Sequence, residues 1–272
     1  MSTGPEAARD DGRGAAFFDL DRTLMAGASA YHFGRALYKG GQMTRTQLAR
    51  DAVEQIRFRL SGASDAAVNV LMDRVMEGVR GQRAVDIARL APEVIAGILP
   101  RIYPQMLAVV RSHQDAGRPA YIATAASSNV AEMLASVLAM DGAVGTRWEI
   151  TNGEYTGRLA GPFAYGEGKA EAVREFAAGQ DIDLAASYAY TDSASDLPML
   201  QAVGHPVAVN PDAPLAEVAK REGWEILRFE KLGQRLRVAG GMVVAAAIGG
   251  TGTWLARRRA AARPRRGFPP RR

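Results

Sequence analysis

Ala15-Ala16-Phe17-Phe18-Asp19-Leu20-Asp21-Arg22-Thr23-Leu24 is the stretch on which the fold turns. Four apolar residues run straight into two acids. A short apolar run of this kind reads as a buried strand, and acids at its end place a polar site at its carboxyl edge. In an extended chain the side chains alternate, so Asp19 and Asp21 fall on one side. Two carboxylates so placed repel each other unless a cation or a proton compensates. The plainer reading is a loop that uses Asp as a turn residue.

Similar runs recur downstream. Residues 119–123 read as a second strand ending at Thr124, followed by a helix carrying Val130, Met133, Leu134 and Leu138. Residues 187–191 form another that ends at Asp192, 206–209 a further one, and 224–229 a candidate last strand. Gly168-Lys169 opens a helix reaching about Ala178. Asn152-Gly153 sits between 148–151 and 154–157, a strong two-residue hairpin signal. Strands alternating with helices predict an α/β fold, a parallel sheet with helices on both faces. Ligands in such folds bind beyond the carboxyl ends of the strands. Asp19, Asp21, Thr124 and Asp192 all fall at such ends.

Between the first two strands the chain reads as helical from 43 to 100. Leu48, Ala52, Ile56 and Leu60 recur every four residues, and Val68, Leu71, Met72, Val75, Met76 and Val79 keep helical spacing. Gly62 and Gly81 punctuate the run. Helices at 92–98 and 104–115 each begin at a proline, which fits a first-turn position. The Met and Leu stripes predict core packing rather than a cofactor site.

Thr191-Asp192-Ser193-Ala194-Ser195-Asp196 brings two more acids, four apart, after a strand. If both acidic segments meet, four carboxylates share one pocket, which requires a hard cation. Carboxylate oxygens, waters and a phosphate favour Mg²⁺. Alternatively Asp192 or Asp196 caps the helix that starts near Pro198. Lys169 would offset repulsion between a carboxylate and a phosphate, although a lysine opening a helix is most often solvated surface. Thr124 and nearby backbone N–H groups could hold a phosphate.

The order of these pieces is more specific than any one of them: apolar strand with DxDxT, strand with Thr, Gly-Lys, strand with DSxSD. That order resembles the phosphohydrolases of the haloacid dehalogenase (HAD) superfamily. Tyr155-Thr156-Gly157-Arg158-Leu159, Gly166-Glu167-Gly168-Lys169, Asp192 through Leu200 and Val209-Asn210-Pro211-Asp212 look like the subfamily IB hydrolases, bacterial relatives of phosphoserine phosphatase. The resemblance covers about residues 15–230. It implies a Rossmann-like core from 15–27 and 106–232, with a helical cap inserted at 28–105. It implies Asp19 as the nucleophile and Asp21 as the group that protonates the leaving alkoxide and then activates water. Thr124 and Lys169 would hold the phosphoryl oxygens. Mg²⁺ would bind Asp19 and Asp192 with the Asp21 backbone carbonyl, and Asp196 would bind through water or orient the shell. An acid at Asp21 argues against a dehalogenase. Phosphoserine phosphatases carry an acidic residue shortly after the first motif, which reads the substrate amino group. Here Met25-Ala26-Gly27-Ala28-Ser29-Ala30 has none. The substrate is therefore open among sugar phosphates, other small phosphomonoesters and lipid phosphates.

The chain has 272 residues, enough for one large α/β domain with an insertion or for two small domains. Its net charge of +5 is misleading. Residues 257–272 carry eight arginines and no acid, so the remainder is at −3. No basic stripe marks the body as a nucleic-acid enzyme. The absence of cysteine excludes disulfides, thiolate catalysis and Cys-based zinc sites. His32, His113 and His205 are far apart and lack metal-ligand spacing. Residues 1–14 read as a disordered lead-in and not as a signal peptide. Residues 238–256 hold no charge, and as a helix would be about 28 Å long, near a bilayer core. Their glycines and alanines make the segment only weakly apolar. It is a candidate transmembrane helix, with a peripheral helix held to anionic lipid by the arginine tail as the alternative. We expect a cytoplasmic catalytic domain, attached to a membrane if that segment anchors it. Three readings follow: a Mg²⁺-dependent phosphomonoesterase, a phosphotransferase or phosphomutase of the same chemistry, and a membrane-associated binding module with a silent site.

Overall fold

A computed structural model describes residues 13–41 and 76–229. The lead-in as far as residue 12, the helical stripe at 43–75, the segment 238–256 and the tail 257–272 lie outside them. Among the described residues no helix is long and apolar enough to cross a membrane.

The strands are β1 (Ala16–Phe18), β2 (Ala120–Ser127), β3 (Gly142–Thr146), β4 (Trp148–Thr151), β5 (Glu154–Leu159), β6 (Tyr188–Thr191), β7 (His205–Val209) and β8 (Glu225–Leu227). Six of them form one parallel sheet in the order β3-β2-β1-β6-β7-β8, and β4 and β5 pair separately as an antiparallel hairpin. β1 lies between β2 and β6, with Phe18 opposite Ile122 on one side and Tyr190 on the other. All three of its residues are fully buried.

Alternation along β1 explains the helices on both faces. Phe17 stacks on Tyr121 at 5.7 Å and meets Phe176, of the helix Glu167–Gly179, edge-on at 6.5 Å. Phe18 points the other way. It stacks on Tyr190 at 4.5 Å and meets His113, of the helix Pro104–Asp115, at 6.0 Å. Burying each ring stabilises the sheet by about 1.5–3 kcal/mol. Continuing the alternation puts Asp19 on the Phe17 face, where the helix Glu167–Gly179 begins.

Three features differ from the sequence reading. β3 was not expected. Its segment, Gly-Ala-Val-Gly-Thr, is short and poor in branched or aromatic residues, and only its pairing with β2 defines it. β2 does not stop at Thr124 but runs to Ser127, with its ladder to β3 irregular between Ala123 and Ser127. Nor does the chain stay extended through Asp21. Leu24 N–H bonds back to the Asp19 and Leu20 carbonyls, and Arg22 adopts a left-handed φ of 64°. A turn, not strand alternation, brings Asp21 back beside Asp19.

The hairpin is as expected. Asn152 and Gly153 both have positive φ, 52° and 83°, which suits the tight turn of a twisted strand pair. The insertion after the first motif has a clear root. Ala26 N–H donates to the Arg101 carbonyl and Tyr103 N–H to the Leu24 carbonyl, each at 2.8 Å. Within the insertion the described helices include Ser29–Lys39, Ala84–Ala88 and Ala91–Ile98. Residues 81–84 bond along the hairpin, through Gly81 N–H to Tyr155 O and Ala84 N–H to Gly153 O.

His113 carries an acid-sensitive contact beneath the sheet. The Arg118 Nε–H donates to its Nδ1 at 3.0 Å, so the ring proton sits on Nε2, 2.7 Å from the Tyr190 hydroxyl. Burial and the Arg118 charge hold its pKa down at about 4. An unfolded chain takes up this proton near pH 6.5 and the folded one does not. Stability from His113 is therefore present above about pH 6.5 and is lost as pH falls from there to about 4. Urea unfolding across pH 4–7 should show an acid limb that is shallower in His113→Gln.

Candidate active site

Three separate segments meet at the carboxyl edge of the sheet. Asp19 follows β1, and its N–H still donates to the Tyr190 carbonyl of β6 at 2.9 Å, which fixes its position. Lys169 occupies the first turn of the helix Glu167–Gly179. Gly168 makes that placement geometrically feasible: a Cβ there would lie 2.2 Å from the Phe163 carbonyl oxygen. Asp192 and Asp196 follow β6.

The Lys169 ammonium lies 2.7 Å from Asp19 Oδ1 and 2.7 Å from Asp196 Oδ2. All three side chains are buried, with Lys169 3% exposed, Asp19 7% and Asp196 2%. The Thr191 hydroxyl also donates to Asp196 Oδ2, at 2.8 Å. Asp196 heads the short helix Leu197–Gln201, but its side chain makes no capping bond there. The capping alternative therefore fails for Asp196. The capping group in this loop is Ser193, whose hydroxyl accepts from Ser195 N–H.

Arg22, turned back by its left-handed backbone, places a guanidinium nitrogen 2.9 Å from Asp192 Oδ2. The contact is one of charge, since that oxygen has no hydrogen-bond partner. Asp21 Oδ1 accepts the Ser29 N–H at 2.7 Å, tying the second acid of the motif to the start of the helix Ser29–Lys39. Thr124 is buried one residue beyond Ala123, which continues the β1–β2 register opposite Asp19. Its hydroxyl accepts from Ala126 N–H at 3.2 Å.

The electrostatics show too little positive charge for the acids present. Burial, and then the neighbouring Asp196, Asp192 and Asp21, push the Asp19 carboxyl well above the usual carboxylate range, against the pull of Lys169. Burial, together with Asp196 and Asp212, raises Asp192 to about 7 even though Arg22 opposes it. Burial alone would lower the Lys169 pKa, but Asp19 and Asp196 outweigh it and hold the ammonium firmly protonated. Asp192 Oδ2 and Asp196 Oδ1 are buried without a hydrogen-bond partner. Buried carboxylate oxygens without hydrogen bonds, of which only Asp192 Oδ2 has an ion pair, beside raised carboxyl pKa values fit a site built around a further cation. Among the described residues no three acids or imidazoles cluster closely enough to cage a metal alone. An ion that keeps several waters, as Mg²⁺ does, needs only one or two carboxylates. The donors present fit it.

A family model for haloacid dehalogenase-like hydrolases matches residues 16–201. The chain belongs to the haloacid dehalogenase-like hydrolases. Within that family it stands with the phosphatases of the phosphoserine-phosphatase-like branch. Phosphoserine phosphatase SerB1 of Mycobacterium tuberculosis is 36% identical over 246 residues, covering 89% of this chain and 79% of that one. The inhibition of morphological differentiation protein of Streptomyces azureus is 35% identical over 264 residues, covering 92% and 95%. The crystal structure of a protein of unknown function from Bordetella pertussis superposes with a TM-score of 0.69 at 29% identity, over 79% of this chain and 98% of that one.

Of the six residues singled out in the sequence, Asp19, Lys169 and Asp196 make direct contacts. Asp192 pairs with Arg22 and acts on Asp19 through its charge. The sequence reading missed three supports. Arg22 was passed over as the variable position of DxDxT. Thr191 orients Asp196. Asp212 accepts Ala194 N–H at 3.1 Å, and its own N–H donates to the Asp192 carbonyl at 2.9 Å, bracing the loop. The Asn-Pro-Asp triplet following an apolar strand was the available signal for the last.

Removing Lys169 leaves two buried carboxylates uncompensated. Lys169→Met is expected to lower stability by roughly 3–5 kcal/mol in EDTA, measured by urea denaturation. Adding Asp196→Asn to that variant should recover part of the loss. Equal stability of wild type and Lys169→Met would contradict the ion cluster.

Proposed function

We propose that this protein is a Mg²⁺-dependent phosphomonoesterase working through an aspartyl-phosphate on Asp19. The observation that carries the reading is the Asp19–Lys169–Asp196 cluster at the carboxyl edge of a parallel sheet, with orphaned carboxylate oxygens beside it. The carboxylate of Asp19 attacks phosphorus while the bond from phosphorus to the ester oxygen breaks. Asp21, entering as the neutral acid, delivers its proton to the departing alkoxide. The Asp21 carboxylate then takes a proton from water as that water attacks phosphorus, releasing inorganic phosphate and restoring Asp19. Lys169 and Thr124 hold the phosphoryl oxygens in line, so that positioning and charge neutralisation supply most of the rate. Asp19, Asp192 and the Asp21 carbonyl, with Asp196 behind, would hold Mg²⁺, which would supply the positive charge that lets a carboxylate approach a phosphate.

The insertion rooted at 24–26 and 101–103 would serve as the cap over this site. The substrate is a phosphorylated small molecule. A lipid phosphate, and a cytoplasmic domain attached to a membrane, rest on residues 238–256 alone.

Hydrolysis of an aryl phosphate by the purified full chain tests the chemistry. Release of phosphate should need Mg²⁺, stop in EDTA and be abolished by Asp19→Asn. Asp21→Asn should slow an alkyl phosphate by roughly 10²–10⁴-fold. Turnover that survives Asp19→Asn would overturn the assigned nucleophile.

A further inference from the structure

Asp192 is the acid of the cluster that Lys169 does not pair with. The ammonium takes Asp19 and Asp196, and the ion pair of Asp192 among the described residues is with Arg22. That pair is unequal. The Asp192 side chain is 5% exposed and the Arg22 side chain 40%, so a half-solvated cation reaches in to a buried carboxyl. The guanidinium nitrogen lies 2.9 Å from Oδ2, yet that oxygen accepts no hydrogen bond. An arginine locked onto a carboxylate ordinarily offers two parallel N–H bonds. Here charge draws the guanidinium in and directional bonding does not fasten it. The backbone points the same way. Arg22 has a left-handed φ of 64°, an angle that glycine takes without steric cost. What an arginine adds at this position is its side chain.

The two segments that Arg22 joins are the two that the metal of the proposed reaction would join. Asp19 and the Asp21 carbonyl would hold Mg²⁺ from the turn that carries Arg22, and Asp192 from the loop after β6. Each segment has its own backbone supports. Leu24 N–H closes the turn on the Asp19 and Leu20 carbonyls. Asp212 accepts Ala194 N–H at 3.1 Å, and its N–H donates to the Asp192 carbonyl at 2.9 Å. Neither path depends on the guanidinium. A divalent ion sharing Asp192 with that guanidinium would repel it, and water can take up a side chain that is already 40% exposed.

Resting on the metal site of the phosphatase reading above, we propose that Arg22 is a resident counter-ion, which pairs with Asp192 in the metal-free protein and is displaced from it when Mg²⁺ binds. The side chain stabilises the crowded acids while the ion is away, and it weakens binding of the ion by competing for Asp192. Lys169 stays, because it is buried between Asp19 and Asp196 and bonded to both.

Calorimetry of Mg²⁺ binding to the full chain, without substrate, compares wild type with Arg22→Gln and Arg22→Lys. Removing the charge should tighten Mg²⁺ binding by roughly tenfold, whereas Arg22→Lys, which keeps the charge, should stay closer to wild type. Urea unfolding gives the reciprocal reading, since competition must appear on both sides of the linkage. Arg22→Gln should be less stable than wild type in EDTA, and the gap should narrow in saturating Mg²⁺. An arm without substitution uses phenylglyoxal, which modifies guanidinium groups. In wild type the Arg22 peptide, followed by mass spectrometry, should be labelled faster in Mg²⁺ than in EDTA, and this arm decides if Arg22→Gln fails to fold. Where wild type binds Mg²⁺, equal or weaker binding by Arg22→Gln, or labelling at Arg22 that does not rise with Mg²⁺, overturns the displacement and leaves the metal site standing. If neither wild type nor either variant binds Mg²⁺, the metal of the phosphatase reading fails and this inference fails with it.

Discussion

One buried lysine holds the working end of this molecule together. Lys169 sits between Asp19 and Asp196, and every member of the triad is removed from water. Taking three charges out of solvent costs several kcal/mol per ion, and their mutual attraction returns that only when the geometry is good. The geometry here comes from the fold. Asp19 is pinned through its backbone to β6, Lys169 through the close approach at Gly168, and Asp196 by the Thr191 hydroxyl. The cluster still leaves Asp19 and Asp192 with raised proton affinities. An arrangement tuned only for stability would have no reason to crowd a further acid against these three. The excess negative charge is what the cation of the proposed reaction would offset.

How much of this could be read from the chain depended on whether a feature was local. Phe17-Phe18-Asp19 declared its own strand, because burial on both faces needs apolar residues at successive positions. Asn152-Gly153 declared its own turn, because both backbone angles must be positive. Gly-Lys and DSxSD were legible as pieces, and their order tied them to a family. β3 could not be read, since Gly-Ala-Val-Gly-Thr becomes a strand only through its partner β2. The path of the chain at Asp21 was misjudged for a related reason. Alternation holds only while a strand lasts, and β1 ends at Phe18. Arg22 and Asp192 follow neighbouring strands but lie far apart in sequence, and no spacing rule reaches that far.

The two sides of the site differ in kind. On the core side the positions are set by sheet register and leave little freedom. On the insertion side the link from Asp21 to Ser29 N–H, the backbone pairs at 24–26 and 101–103, the bonds from 81–84 to the hairpin and the packing of the helix Ala91–Ile98 on the helix Ser128–Leu138 are among the described attachments. Positions set by sheet register on one side, and an insertion joined to them on the other, suit the proposed phosphatase, whose chemistry would be fixed by the core.

The central place of β1 bears on how the chain is made. Its residues are synthesised well before their ladder partners, Ala120–Ile122 and Tyr188–Tyr190. Until both have emerged, Phe17 and Phe18 have no sheet to enter and remain a sticky apolar pair. Non-local parallel pairing of this sort is slow and exposed to aggregation. The strand that leads into Asp19 is thus made before the strands it pairs with and settles only with them, so the Asp19–Lys169–Asp196 cluster cannot assemble before most of the core is built.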